Sequence, residues 1–202
     1  MFSILLYLAA FAPQTQHQQH PPRDAAEYAK VLESPDRDAW QKPHEVITAL
    51  ALRADEVIAD LGAGSGYFKR RFAHHAKLVY AVDIDPKLLA MVDKMGAKNV
   101  KTLLASHDDS KLPPASVDTI FICDVLHHIE HRPAYYAKLA RALKPGGRVV
   151  IVDFYKRKLP VGPPESMKLS EDQVAAEFTA AGFRRTQSFD FLPHQYYLLF
   201  SR

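Results

Sequence analysis

The chain has one cysteine, Cys123, so no disulfide can form within it. Cys123 lies inside an apolar run, where a buried structural thiol is the ordinary reading. A dense basic run is also missing. Lys69-Arg70-Arg71 comes nearest, and a solvated helix face accounts for it. Net charge is only +3, with both signs interspersed. Without a basic patch interleaved with aromatics, nucleic acid is not an expected partner. No apolar run reaches the roughly 20 residues that a membrane-spanning helix needs. Tryptophan occurs once, at Trp40. Glycine is scarce, eight in 202 residues, yet three stand at every second position of one short loop. No internal repeat is visible.

What remains suits one globular domain with a sizeable core, at 48% apolar and 24% charged residues. Residues 1–12, MFSILLYLAAFA, form a short apolar segment that reads as a possible signal peptide with an A-x-A site at Ala10-Phe11-Ala12. No Lys or Arg precedes it, and Pro13 follows the cut. Processing would leave no stable membrane span. The chain is exported if this segment is a signal and cytoplasmic otherwise. Residues 13–23, rich in Gln, His and Pro, read as a polar linker; His17 and His20 are expected to be solvated. Residues 24–42 read as a helical arm or lid. Ala25, Tyr28 and Leu32 lie on one face, and Trp40 anchors the arm on the sheet in preference to closing over a ligand.

The main domain, residues 43–202, is organised around Val57-Ile58-Ala59-Asp60-Leu61-Gly62-Ala63-Gly64-Ser65-Gly66-Tyr67-Phe68. An apolar strand ends in a carboxylate, a glycine loop follows, and a helix-compatible segment comes next. Such strand ends are ligand sites in doubly wound sheets. A dinucleotide is disfavoured. Its fingerprint needs a third glycine where Tyr67 stands, and Asp60 would confront a pyrophosphate. A cationic ligand would welcome Asp60, and S-adenosylmethionine (SAM) carries an ammonium and a sulfonium. Leu78–Asp83 is a second strand whose terminal Asp83 falls 21 residues after Gly62, the place of a ribose-binding acid. Asp85-Pro86 caps the next helix, which carries Leu88, Leu89 and Val92. Val100–Leu104 is a third strand. Val117–Asp124 is a fourth, apolar enough to be covered on both faces. His127 and His128 follow it. The i,i+4 spacing of His127 and His131 does not read as a metal site, and no metal is expected. Pro145-Gly146-Gly147 is a turn before a fifth strand. Ser170–Gln173 opens a helix as a capping box, and 183–191 with 195–200 make a final hairpin.

Three of these motifs resemble class I SAM-dependent methyltransferases of the small-molecule, type 11 kind: Asp60–Gly66, Asp83, and Lys144-Pro145-Gly146-Gly147. The resemblance covers about residues 43–202. It implies an α/β fold: a Rossmann-like, doubly wound, seven-stranded mixed sheet, last strand antiparallel, with helices on both faces. It implies SAM as cofactor and methyl transfer to an unidentified small-molecule acceptor by in-line displacement. Asp60, Gly62, Gly64, Gly66 and Asp124 would border the methionine half. Asp83 and Ile84 would hold the adenosyl half. The adenine edge would meet Ser106, His107 or Asp108, a choice left open because Ala105-Ser106 departs from the family's Gly-Asp. His127 or His128 would act as general base, with orientation or packing as the plainer role. A non-catalytic SAM-binding module, or an exported binding protein on the same scaffold, is the alternative.

Overall fold

The computed structural model describes residues 24–202; the apolar segment 1–12 and the linker 13–23, with His17 and His20, lie outside the described residues. Helices α1 (Ala25–Leu32), α2 (Arg37–Gln41) and α3 (Pro43–Leu50) precede β1 (Val57–Leu61). There follow α4 (Lys69–Phe72), β2 (Leu78–Asp83), α5 (Pro86–Lys94), β3 (Val100–Leu104) and β4 (Val117–Cys123). The chain continues through α6 (Arg132–Ala142), β5 (Leu143–Phe154), α7 (Glu171–Ala180), β6 (Arg184–Phe189) and β7 (Gln195–Ser201). The seven strands form one sheet in the order β3-β2-β1-β4-β5-β7-β6. Strands β1 to β5 are parallel, and β7 runs antiparallel between β5 and β6. Chain order reverses between β1 and β4, and the carboxyl ends of those two strands open the crevice where such sheets bind ligands.

The two faces of the sheet follow from strand periodicity. On one face Ala59, Leu61, Ile120, Ile122, Val149 and Ile151 pack under α6 and α7, which contribute Tyr136, Leu139, Val174 and Phe178. On the other, Ile58, Val79, Phe121, Val150 and Val152 pack under α3 and α4 through Val46, Leu50 and Phe72. All five residues of β1 are buried, as expected of a central parallel strand.

Local chemistry sets the element ends. Asp85 caps α5 by accepting from Lys87 N, and Pro86 sits in its first turn. Ser170 caps α7 by accepting from Gln173 N, but the Gln173 amide donates to Glu177, so only half of the expected capping box forms. The Pro-Gly-Gly segment is not a separate turn. It is a bulge inside β5, where Lys144–Gly147 stand opposite Asp118 alone between the Val117–Leu143 and Thr119–Arg148 pairs. Lys144 Nζ donates to Asp118 Oδ2 at 2.7 Å and fixes the bulge. Nor are Lys69-Arg70-Arg71 a solvated face. Lys69 is 1% exposed, Arg70 pairs with Glu33, and Arg71 pairs with Asp38, because α1 and α2 lie across them.

Candidate functional site

At the carboxyl end of β1 the glycine loop turns with Gly62, Gly64 and Gly66 at φ of 76°, 55° and 94°. A side chain would be strained at each. The space beside them is taken by the protein itself. A Cβ on Gly62 would lie 2.1 Å from Val125 Cγ2, and one on Gly64 would lie 2.8 Å from Leu32 Cδ1 of α1. These glycines therefore admit Val125 and the arm against the loop.

Three carboxylates gather around that loop. Asp60, at 2% exposure, has Oδ2 buried without a hydrogen-bond partner. Loss of water pushes its carboxyl up to about 7, against the opposing pull of the Lys69 backbone and the Arg37 charge. Asp83 lies at the end of β2, where Oδ2 accepts from Gly64 N and Oδ1 from Asp85 N, at 2.8 and 2.9 Å. Burial still raises its pKa. Asp124 closes β4 at φ 59°; it accepts from the Gln195 side-chain amide and lies 3.7 Å from Arg37 Nη2. Desolvation pushes its carboxyl up to about 6, and Arg37 works against that rise.

Beyond Asp83, Ile84 is 49% exposed, and Leu104 at the end of β3 is 53% exposed. Two uncovered apolar side chains at adjacent strand ends offer a surface for a flat ring. Ser106 Oγ donates to Asp108 Oδ1 at 2.8 Å within a tight turn, and Lys138 Nζ donates to the Asp108 carbonyl at 2.6 Å and lies 3.3 Å from its Oδ2. The Ser106 hydrogen bond and Lys138 hold the Asp108 carboxyl below its ordinary range. His107 is exposed beside them.

His127 and His128 occupy a short 3-10 turn and part company there. His127 is 3% exposed, and its Nδ1 lies 2.9 and 3.1 Å from the two oxygens of the fully buried Asp153. His128 is exposed, with its ring 4.2 Å from that of His127. Burial is the largest influence on His127 and lowers its pKa, but the charge and hydrogen bond of Asp153, with the charge of Asp124, together outweigh it and raise the pKa. The Cys123 thiol is buried and pushed well above its usual pKa by desolvation. Among the described residues no group of three His, Cys, Asp or Glu is placed to hold a metal. A groove of about 350 Å³ lined by His44, Arg71, His74 and His75 includes none of the three carboxylates.

Four residues of this site carry no signal in the sequence: Arg37, Gln41, Asp153 and Gln195. Arg37 is buried in the arm, 4.0 Å above the Tyr67 ring, and Gln41 donates to Gln195 across 154 positions of sequence. Only Trp40 hints at the arm's docking, and it does pack on Phe154, with ring centroids 5.8 Å apart. Asp153 sits on a buried strand and reveals its role only once β5 lies beside the turn after β4.

Residues 59–151 match the family model of the methyltransferase domain known as Methyltransf_11. Just under half of the chain, residues 59–151, is thus a methyltransferase-family domain. Among the curated relatives is a demethylmenaquinone methyltransferase of Tropheryma whipplei, 29% identical over 56% of this chain and 48% of the relative. A malonyl-[acyl-carrier protein] O-methyltransferase of Serratia marcescens is 33% identical over 47% of this chain and 37% of the relative. The chain thus spans about half the length of the curated relatives it matches. A crystal structure of a SAM-dependent methyltransferase from Aquifex aeolicus shares the fold with a TM-score of 0.81, covering 89% of this chain and 99% of that one at 24% identity. The DhpI–SAM–HEP complex shares it with a TM-score of 0.70 over 88% and 92%, at 20% identity.

Proposed function

We propose that this chain is a SAM-dependent methyltransferase acting on a small-molecule acceptor. The observation that carries the reading is the gathering of Asp60, Asp83 and Asp124 around the glycine loop at the switch point of the sheet. A pyrophosphate would be repelled there, and a ligand with a positive end would be attracted. The orphaned, buried Asp60 Oδ2 fits an ammonium. Asp60 and Asp124 would hold the amino-acid end. Each oxygen of Asp83 has a lone pair beyond its backbone hydrogen bond, enough to accept a ribose hydroxyl. Ile84 and Leu104 would flank the adenine, with Ser106, His107 or Asp108 at its edge.

SAM, when bound, supplies a methyl group on a sulfonium centre. The chain's own residues align, desolvate and move a proton. His127 is the base of choice. Its Nδ1 is committed to Asp153, which leaves Nε2 to take a proton from an acceptor hydroxyl or thiol. With its pKa raised, His127 works as a base increasingly as pH climbs through that value. His128, exposed beside it, would border the acceptor's entry. Alignment of acceptor and methyl would supply much of the rate.

Calorimetric titration of the full chain with SAM, S-adenosylhomocysteine and NAD tests the reading. SAM and S-adenosylhomocysteine are expected to bind in the micromolar range and NAD not at all. Binding of NAD alone, or of none of the three, would overturn the proposal.

A further inference from the structure

Arg37 lies outside residues 59–151 yet is buried among the site's carboxylates, 9% exposed. Its own pairing is poor for a buried cation. Nε and Nη2 both donate to the neutral amide oxygen of Gln41, at 3.3 and 3.2 Å, and Nη1 donates to the Leu32 carbonyl at 2.9 Å. Its approach to Asp124, at 3.7 Å, is beyond hydrogen-bond reach. A buried guanidinium ordinarily makes a bidentate pair with a carboxylate. Here none is made, although Asp124 is adjacent, and Asp60 has an unpartnered oxygen. The Asp124 carboxylate is drawn instead to the Gln195 amide, which is itself held by Gln41. Tyr67 stacks under the guanidinium and, through its hydroxyl, donates to Asp38 of the same arm, so the position of Arg37 is set from both sides.

The site thus holds a guanidinium and two carboxyl groups side by side with their strongest contacts unmade. That is the complement of a zwitterion. An α-amino acid offers a carboxylate for the fork and an ammonium for the aspartates, separated by one carbon. Resting on the SAM reading, we infer that Arg37 is a binding residue for the carboxylate of the ligand's amino-acid end, with Asp60 and Asp124 taking its ammonium. The arm is then a working wall of the site, and Gln41 and Gln195 position the Arg37 fork and Asp124 relative to each other.

Two ligands separate this role from simple covering of the crevice. S-adenosylhomocysteine carries the amino-acid end; 5′-methylthioadenosine has the same adenosyl thioether without it. Both are titrated into the full chain and into R37A and R37K. R37A is expected to weaken S-adenosylhomocysteine about tenfold to a hundredfold, the range for a charge-assisted pair, and to leave 5′-methylthioadenosine within about twofold. R37K keeps the charge without the fork and should fall between. Unchanged 5′-methylthioadenosine binding also reports that the variant is folded. Equal weakening of both ligands would make the arm only a cover and overturn the inference, as would S-adenosylhomocysteine binding untouched by R37A. Failure of the wild-type chain to bind either ligand would sink the cofactor reading and the inference with it. R37A binding only 5′-methylthioadenosine well, against a wild type that binds both, supports them together.

Discussion

Replacing Gly62 by alanine tests the packing of the loop directly. Gly62 has φ 76°, and its added Cβ would stand 2.1 Å from Val125 Cγ2, well inside contact distance. Two costs then add. An alanine in left-handed backbone costs about 1–2 kcal/mol, and forcing a methyl into filled space costs about 1–3 kcal/mol. Gly182 supplies the control. It has φ 86°, but nothing lies within 4 Å of its Cβ position, so G182A carries only the backbone cost. G62A should be less stable than wild type by about 2–4 kcal/mol and G182A by about 1 kcal/mol, after the small offset from a stiffer unfolded chain. The assay is urea unfolding followed by circular dichroism, read as a midpoint shift at constant m value. Trimming Val125 should relieve the clash. The double variant G62A/V125A is expected to be more stable than the sum of its single effects by about 1 kcal/mol or more. Equal losses in G62A and G182A, or strict additivity with V125A, would refute the account of this loop as packed against the residue that follows Asp124.

Two further outcomes follow from buried charge. Asp60 holds its proton up to about pH 7 when folded but only to about 3.8 when unfolded, so the folded state binds more protons in between and stability falls as pH rises through that window. D60N removes this penalty: in urea unfolding it should exceed wild type at pH 8 by several kcal/mol, on the order of 3–4 by linkage, with the gap closing toward pH 4. A gap independent of pH would contradict the assignment. On the opposite face of the sheet, Glu177 accepts from Arg132 Nε and Nη2 at 2.7 and 2.8 Å and from the Tyr136 hydroxyl at 2.9 Å, joining α6 to α7. E177Q should cost about 2 kcal/mol at pH 7. Because Arg132 lowers the Glu177 pKa, this difference should shrink as pH falls below the ordinary glutamate value, and chemical unfolding at pH 7 and pH 3 would show it.

The succession of strands along the chain was legible because each parallel strand is an apolar run with a carboxylate or a turn at its end, and because the helices carry their own caps. Asp60, Asp83 and Asp124 could be located for the same reason: each closes a strand, so sequence position becomes spatial position at one edge of the sheet. What sequence did not disclose depends on contacts between distant segments. Lys69 looks exposed until α1 and α2 are laid over it. Tyr67, noticed for excluding a glycine, gains its role from Arg37, Arg70 and Arg71, whose guanidiniums lie within 4.0 to 5.2 Å of its ring. His127 and His128 are equivalent as letters, and only Asp153 on the neighbouring strand separates a buried, oriented imidazole from an exposed one. The proline-glycine-glycine segment reads as a turn, but Asp118 opposite it makes it a bulge in a continuing strand.

The place of β7 has a bearing on how the molecule comes into being. This strand is made after every element it touches, yet it lies between β5 and β6 and brings in Gln195 at its first position. During vectorial synthesis the nascent sheet therefore waits with one side of β5 open. Gln41 of the arm, made earlier, has no Gln195 to donate to until β7 slots in. Assembly of the crevice is thereby made contingent on β7, so that a nascent chain stalled before residue 195 would present one unpaired side of β5 and an Asp124 without its amide partner rather than a half-competent site.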